Sequence, residues 1–191
     1  MAGSDMIYVN RDFSKVRLKD KKLDNLTFQD CTFSHCFFDG VCLRECDFEN
    51  CTFQSCSVNN VKHAFLKITD CAFSHSLIQG VDLAGIAFPH SFSLRECRLV
   101  CVDFTGLQLR KSTFTSSAFN DCAFEECNLS SADFSGSTFN LTEFRHSDLT
   151  GSDYTGTEGL DLNHRINEVK NIRIPQDAGI RILKRMGITL S

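Results

Sequence analysis

Every fifth residue between Leu94 and Tyr154 is large and apolar. The thirteen positions of this phase are Leu94, Leu99, Phe104, Leu109, Phe114, Phe119, Phe124, Leu129, Phe134, Phe139, Phe144, Leu149 and Tyr154. From Cys97 onward, the residue two before each of these centres is small or modest in size. A period of five matches neither the 3.6-residue period of an α-helix nor the two-residue alternation of a β-strand. Such internal repetition constrains the fold more than any other feature of the chain.

The same phase can be followed through the N-terminal half of the chain. It runs from Leu23 to Phe88, and His63 is the only centre there that is not apolar. One extra residue enters within residues 89–93, and the phase resumes at Leu94. We therefore expect a lead-in or cap at residues 1–22, a repeat body at 23–157 and a linker with a terminal helix at 158–191.

A chain that turns a corner at every repeat explains a period of five. The centre and the residue two before it then point inward, and the other three residues face solvent. Four repeats close one square coil of 20 residues, and stacked coils pair as parallel strands roughly 4.8 Å apart. Residues 20 positions apart should form columns of similar side chains, such as Phe104, Phe124 and Phe144; Leu109, Leu129 and Leu149; and Phe33, Phe53 and Phe73. The sequence predicts an all-β solenoid followed by one short α-helix.

Two stretches depart from the regular pattern. His63 would lie in a column with Leu23, Leu43 and Leu83, where a buried imidazole needs hydrogen-bond partners. We expect the coil to bulge at residues 59–65 so that the ring reaches solvent, with a ligand-binding or pH-sensing role as the alternative. The phase break at 89–93 is the second irregularity. The candidate residues of these two loops are His63, Phe65, His90 and Phe92.

The composition favours a packed interior without catalytic chemistry. Nine of the eleven cysteines occupy the small position two before a centre, where a reduced thiol packs as a small apolar group. The chain has no C-x-x-C pair, no Ser/His/Asp constellation and no glycine-rich phosphate loop, so we expect a protein that is not an enzyme and needs no cofactor or metal. It also has no secretory signal and no apolar run of about 20 residues, so we expect a cytoplasmic protein without a membrane partner.

The net charge of −4 is unevenly distributed along the chain. Residues 23–160 carry a net charge of −10, whereas residues 1–22 and 161–191 each carry +3. An acidic rod would repel nucleic acid, and it would suit a protein groove that binds phosphates. The alternative is an acidic surface that only maintains solubility. The candidate contact residues are Asp47, Asp82, Asp103, Asp121, Glu125, Asp133, Asp148 and Asp153.

The last segment has the signals of a short amphipathic helix. Pro175 suits a first helical turn, and Gly187 suits the position after the helix. An apolar helix of this length must cover another surface. It either caps the end of the stacked coils or packs against a second copy of itself.

The repeats SADFS, HSDLT and GSDYT resemble the A-(D/N)-L-x-x motif of the pentapeptide-repeat family, over roughly residues 23–157. Members of that family form a right-handed quadrilateral β-helix. The segments EFRHSDLTGSDYTGTEGLDLN and IPQDAGIRILKRMGITLS resemble the subgroup that confers microcin B17 immunity and plasmid-borne quinolone resistance.

This resemblance has implications for function and assembly. It implies protection of DNA gyrase, and in some members of topoisomerase IV, from a peptide toxin or a quinolone, through either competition with DNA or displacement of the poison. It also implies a tail-to-tail homodimer through the terminal helix. The residues concerned are Ile180, Ile182, Leu183 and Met186. A non-enzymatic scaffold with an unrelated partner is the alternative function.

Overall fold

The computed structural model describes residues 6–189, which form a parallel β-solenoid of about seven coils and one C-terminal helix. The predicted fold class is therefore confirmed. The strands are β1 (Met6–Val9), β2 (Asp12–Ser14), β3 (Arg17–Lys19), β4 (Lys22–Asp24), β5 (Leu26–Gln29), β6 (Thr32–Ser34), β7 (Phe37–Asp39), β8 (Cys42–Arg44), β9 (Asp47–Glu49), β10 (Thr52–Gln54), β11 (Ser57–Asn59), β12 (Lys62–Ala64), β13 (Lys67–Thr69), β14 (Cys71–Ser74), β15 (Leu77–Gln79), β16 (Phe92–Arg95), β17 (Arg98–Val100), β18 (Phe114–Thr115), β19 (Ala118–Asn120), β20 (Ala123–Glu125), β21 (Thr138–Asn140) and β22 (Glu143–Arg145). The helix is α1 (Gln176–Arg185).

The strands lie on four faces of the solenoid, which we number in chain order. Face 1 contains β1, β5, β9 and β13, and face 2 contains β2, β6, β10, β14, β16 and β18. Face 3 contains β3, β7, β11, β15, β17, β19 and β21. Face 4 contains β4, β8 and β12, followed by β20 and β22, which single bridges at Asp82, Asp103 and Ala123 connect to the earlier coils.

The register produces the predicted columns of aromatic side chains. Phe53 pairs with both Phe33 and Phe73, and its ring stacks on theirs at centroid distances of 4.8 and 4.5 Å. Phe124 stacks in the same way on Phe104 and Phe144, at 4.4 and 5.0 Å. Rings on neighbouring faces meet edge to face, a geometry that aromatic quadrupoles favour. One coil therefore corresponds to four repeats.

The residue two after each centre makes the corner. It has a left-handed backbone conformation, as shown by φ values of 49° at Asn60 and 78° at Gly106. Glycine, Asn and Asp tolerate this conformation best, which explains why these residues recur at corners. Phe65 and Leu141 occupy the same position, and their large side chains project into solvent.

The two halves of the solenoid differ in how well their inward side chains are buried. We call residues 6–83 the N-terminal coils and residues 94–157 the C-terminal coils. Centres of the C-terminal coils such as Phe119 and Leu129 are fully buried. In the N-terminal coils, several inward centres remain half-buried, among them Phe38, Val58 and Phe73. The first coil is built from strands β1–β4, and each of them pairs with the coil above.

The bulge expected at residues 59–65 is absent. Residues Lys62–Ala64 form the regular strand β12, and His63 pairs in register with Leu43. The imidazole Nε2 lies 2.7 Å from the carbonyl oxygen of Asp82 in the next coil. The expected bulge was wrong because the neighbouring coil supplies a hydrogen-bond partner to the ring within the regular register, and the ring is half-buried there.

The extra residue at the phase break changes the pairing offset from 20 to 21 residues, as the Phe73–Leu94 pair shows. Between two hydrogen bonds, from Ala87 N to Leu66 O and from Ser91 N to Ile68 O, the chain bows outward. Phe88 is consequently 75% exposed and is not an inward centre, contrary to the sequence prediction. Phe92 is buried in the core instead.

Helix α1 covers the C-terminal end of the solenoid. Ala178 is buried, and Ile182 packs against the hydrophobic core. The guanidinium groups of Arg181 and Arg185 donate hydrogen bonds to the carbonyl oxygens of Leu160 and Leu162. No helix within residues 6–189 has the length and apolarity needed to cross a bilayer.

Candidate functional site

Several candidate acidic residues take part in building the corners. Asp103 Oδ1 accepts a hydrogen bond from the backbone nitrogen of Thr105, at 2.8 Å, and also one from its hydroxyl. The equivalent backbone hydrogen bond is accepted by four other candidates: Asp82, Asp133, Asp148 and Asp153. The distribution of charge along the sequence did not reveal that these aspartates also stabilise the corners. In most of these corners, the sequence signal is an Asp followed two residues later by Ser or Thr.

At Asp153, the hydrogen bonds of the corner also help to keep the carboxylate ionised. The pKa of Asp153 is lowered mainly by the hydrogen bond from the Thr155 hydroxyl, with a further contribution from the Arg173 guanidinium 3.2 Å away. A carboxylate that accepts backbone hydrogen bonds is stabilised in its charged form. Corner formation and surface charge are therefore compatible at Asp153.

The structure places the eight candidate acidic residues on three faces. Asp82, Asp103 and Glu125 lie on face 4, and Asp121 lies at the corner where face 3 meets face 4. The remaining candidates lie elsewhere: Asp133 and Asp153 on face 2, and Asp47 and Asp148 on face 1. Asp47 is also partly neutralised by Lys67, whose Nζ lies 3.9 Å from its carboxylate. Four of the eight candidate acidic residues therefore lie together, on or beside face 4.

Face 4 gains two further carboxylates from residues outside the candidate set. We define the acidic face by its six carboxylates: Asp82, Asp103, Asp121, Glu125, Glu126 and Glu143. The basic side chains beside them include Arg145, which pairs with Glu143, and His146, 3.8 Å from Glu125. Arg165 lines one groove with Glu126, and Lys62 lies one coil before Asp82 on the same face. The six charges span three coil steps, about 14 Å, whereas duplex DNA carries one charge per roughly 1.7 Å. The two charge densities are of the same order.

The four loop candidates are in different environments. Phe65, at the corner between faces 4 and 1, is 75% exposed, whereas Phe92 is buried. His63 points inward. His90 is buried, and its Nε2 accepts a hydrogen bond from the backbone nitrogen of Gln108 at 3.0 Å. Burial lowers the pKa of the His90 imidazole, which keeps the ring neutral.

Nine of the eleven cysteines line the interior as small packing groups, whereas Cys42 is half-buried and Cys101 is exposed. The Cys56 thiol donates to the carbonyl oxygen of Phe33 in the preceding coil, at 3.3 Å. Burial raises the pKa of Cys56, Cys122 and Cys127 to about 11, so these thiols are protonated near neutral pH and are poor nucleophiles. Within residues 6–189, no three His, Cys, Asp or Glu side chains are grouped as metal ligands would be.

The proposed dimer residues do not share one environment. Ile182 faces the core of its own chain, whereas Met186 is exposed and Ile180 and Leu183 are half-buried. Helix α1 therefore caps the solenoid through one side and leaves apolar surface on another. Both roles considered from the sequence remain compatible with this geometry.

Comparisons with known proteins identify relatives over nearly the whole chain. Residues 117–156 match the pentapeptide-repeat family as eight copies, and residues 4–79 match the family described as the SV2A/B/C luminal domain. Protein McbG of Escherichia coli is 50% identical over 185 residues, which is 97% of this chain and 99% of McbG.

Solved structures show the same fold. A trypsin-treated variant of QnrB1, a plasmid-mediated fluoroquinolone resistance protein, superposes with a TM-score of 0.63 at 19% identity, and covers 97% of this chain and 98% of its own. A second trypsin-treated QnrB1 variant gives a TM-score of 0.52 at 20% identity, with the same coverage. Together with the full-length similarity to McbG, the four-sided parallel solenoid and its five-residue period show that the chain belongs to the pentapeptide-repeat family.

Proposed function

We propose that this protein is a topoisomerase-protecting immunity protein. It binds DNA gyrase through the acidic face and counters a gyrase poison, such as a modified peptide toxin or a quinolone. The observation that carries the proposal is the concentration of six carboxylates on one side of a rigid solenoid, in a chain that is 50% identical to McbG. Gyrase protection is the activity that the resemblance to the immunity and resistance subgroup implies.

The physical basis of the proposal is competition for a basic groove. A protein surface that binds duplex DNA presents Lys and Arg to closely spaced phosphates. The acidic face offers fixed carboxylates at a comparable density, and the backbone ladders hold them without the ordering cost of a flexible chain. Attraction between the two surfaces should accelerate association and weaken as the salt concentration rises.

A tail-to-tail homodimer through helix α1 is part of this proposal. The exposed apolar side chain of Met186, with Ile180 and Leu183 beside it, gives a second copy a surface to cover. Ile182 would act indirectly, by fixing the helix to its own solenoid. Sedimentation of a Met186→Asp and Leu183→Asp double variant should show monomer where the parent protein shows dimer. An unchanged sedimentation coefficient would contradict this interface.

Supercoiling by purified gyrase tests the proposed activity directly. Relaxed plasmid is incubated with gyrase and either the peptide toxin or a quinolone, with increasing amounts of this protein. We expect supercoiling to recover and the cleaved, enzyme-bound plasmid to decrease. Failure to rescue at any protein concentration would contradict gyrase protection and favour the scaffold function.

Charge-neutral variants test which face is used. The Asp82→Asn, Asp103→Asn and Glu125→Gln changes remove three charges from the acidic face. Asn preserves the corner hydrogen bond, as Asn128 shows by accepting from the backbone nitrogen of Ser130 at 3.1 Å. Gyrase affinity should fall by roughly tenfold or more, and its dependence on salt should become shallower.

The control variant removes two charges from another face, and its effect is compared per charge removed. Asp133→Asn with Asp153→Asn neutralises two carboxylates on face 2 while keeping their corners. This pair should leave gyrase affinity nearly unchanged. An equal loss in both variants would mean that net charge, rather than the acidic face, governs binding. No loss in either would remove the electrostatic explanation.

A further inference from the structure

The N-terminal coils enclose a cavity that the proposed function does not use. Its volume is about 250 Å³, and it extends through the interior from Tyr8 in the first coil to Phe104 in the fifth. These four coil steps correspond to a length of about 19 Å. His63 is the single lining residue with an ionisable ring nitrogen, and the other lining side chains are aliphatic or aromatic.

The cavity exists because the third and fourth coils supply less inward volume. The third coil places two aromatic rings, Val58 and His63 at its four centres, and the fourth coil places a single ring, Phe73. The sixth and seventh coils each place three phenylalanines and a leucine, and their centres are nearly or fully buried. The second coil places the same set, but it lies between the partly exposed first coil and the smaller third coil, and its Phe38 and Leu43 remain half-buried. Since the backbone spacing is the same in both halves, the smaller side chains leave unfilled space.

The open end of this cavity is surrounded by positive charge. The inward side chains of the first coil remain partly exposed, and no described residue lies below them. The guanidinium of the exposed Arg17 lies 4.1 Å from the ring centroid of Phe37 in the second coil. The other exposed basic residues of the first coil, which we call the basic collar, are Arg11, Lys15, Lys19, Lys21 and Lys22. Within the described residues, none of them belongs to an ion pair. The acidic residues of the same coil are Asp12, Asp20 and Asp24. Asp24 pairs with Arg44 of the second coil.

We propose that the N-terminal coils bind a single-chain anionic amphiphile, with a long-chain carboxylate as the simplest example. The alkyl chain occupies the apolar cavity, and the carboxylate is held at the basic collar. An apolar cavity of this size stays dry and accepts apolar ligands, because water there lacks hydrogen-bond partners. His63 does not oppose this occupant, since its Nε2 is already paired with the Asp82 carbonyl oxygen.

The energetics predict a recognisable dependence on chain length. Each methylene transferred from water into the cavity should tighten binding by roughly fourfold. The gain should stop when the chain fills the length of the cavity. The attraction between the carboxylate and the basic collar adds to the binding free energy, and it weakens as salt screens the exposed charges.

The experiment titrates the full-length protein with saturated carboxylates from eight to sixteen carbons, each below its critical micelle concentration, by calorimetry. We expect affinity to rise by roughly fourfold per methylene and then to level off. The alcohol of equal length should bind more weakly at low salt and equally at high salt. Affinity that does not depend on chain length, or no heat of binding at any length, would overturn the proposal.

Two variants locate the site. Val58→Phe adds a ring inside the cavity and should weaken binding by at least tenfold. Ser57→Phe adds the same ring to the neighbouring residue, which faces outward on the same strand, and should leave binding unchanged. Equal affinity in both variants would exclude the cavity as the binding site.

If Val58→Phe fails to fold, a variant of the basic collar provides a second test of the site. Lys19→Glu with Lys21→Glu changes only exposed side chains and should weaken the carboxylate without weakening the alcohol. Equal effects on both ligands would contradict the role of the collar. If amphiphiles fail to bind while the protein associates through its N-terminal end in sedimentation, the occupant is a second copy of the chain and the proposal is wrong.

Discussion

The N-terminal and C-terminal coils follow the same path but are filled differently. Both use a corner every five residues, and both pair each strand with the coil above. The C-terminal coils bury their centres nearly completely, whereas the N-terminal coils enclose a cavity of about 250 Å³. The repeat period therefore determines the backbone path, and the summed volume of the inward side chains determines whether the interior is solid.

The small inward position differs between the two halves as well. The N-terminal coils place six cysteines there, whose thiols donate weak hydrogen bonds of 3.3–3.5 Å to carbonyl oxygens. The C-terminal coils use hydroxyls at several of these positions. Ser137 Oγ accepts from the backbone nitrogen of Ser117 and donates to the Phe114 carbonyl oxygen at 2.7 Å. We infer that each such hydroxyl ties adjacent coils together more strongly than a thiol does.

The largest difference should appear when an inward ring is removed. Phe119 and Phe38 occupy the same repeat position on face 3, but Phe119 is fully buried and Phe38 lines the cavity. Phe119→Ala should lower the free energy of unfolding by about 3–5 kcal/mol, because it creates a new cavity. Phe38→Ala should cost roughly 2 kcal/mol, since part of its surroundings is already empty. Urea unfolding measures both, and equal costs would contradict the difference in packing.

Removal of an inward hydroxyl should have an intermediate effect. Ser137→Ala leaves the Ser117 nitrogen and the Phe114 carbonyl oxygen without their side-chain partner in a buried site, at a cost of about 1–3 kcal/mol. Cys56→Ala is the matched change in the N-terminal coils and should cost about 1 kcal/mol, because it removes a weak donor and one small group. Urea unfolding compares the two variants. A cost for Cys56→Ala equal to or above that for Ser137→Ala would show that packing, rather than hydrogen bonding, dominates this position.

Changes to the corner aspartates should have a smaller effect on stability. Asp133→Ala removes the hydrogen bond to the backbone nitrogen of Ser135 and should cost about 1 kcal/mol. Asp133→Asn keeps an acceptor in place and should cost only a few tenths. Thermal unfolding of the two variants at one pH provides the comparison. Identical melting temperatures for the Ala and Asn variants would mean that the side chain does not support the corner.

Much of this architecture could be predicted from the sequence because a period of five leaves few alternatives. The columns of Phe and Leu and the offset near residue 90 follow from counting, and the terminal helix follows from its end signals at Pro175 and Gly187. Counting by 20, with one residue added at the offset, would also have placed Asp82 and Asp103 in one column and Asp133 and Asp153 in another. The acidic face could therefore have been separated from face 2 without a structure.

Other features depend on three-dimensional contacts that counting cannot supply. The partner of His63 is a carbonyl oxygen 19 residues away, and it is available only because the coils stack in this register. The outward position of Phe88 and the inward position of Phe92 depend on where the extra residue is accommodated. The cavity depends on the combined volume of four side chains in each coil, so no single residue signals it.

The smallest expected effect concerns the junction between the two halves. His90 lies there, buried and neutral, and accepts a hydrogen bond from Gln108 of the C-terminal coils. Because burial lowers its pKa, the unfolded chain takes up a proton at a higher pH than the folded protein does. Stability should therefore decrease as the pH falls below about 6.5, the ordinary pKa of histidine.

His90→Gln tests this junction because an amide oxygen can still accept from the Gln108 nitrogen but cannot be protonated in this range. The free energy of unfolding is measured at intervals between pH 7.5 and 5 in both proteins, about the range over which an ordinary histidine titrates. Subtracting the two curves removes the other titrating groups, which the variants share. The difference should be constant above the ordinary histidine pKa and should favour the variant increasingly below it. A difference that does not change with pH would mean that His90 has the same pKa in the folded and unfolded states, and the junction would then be no more acid-sensitive than the coils on either side.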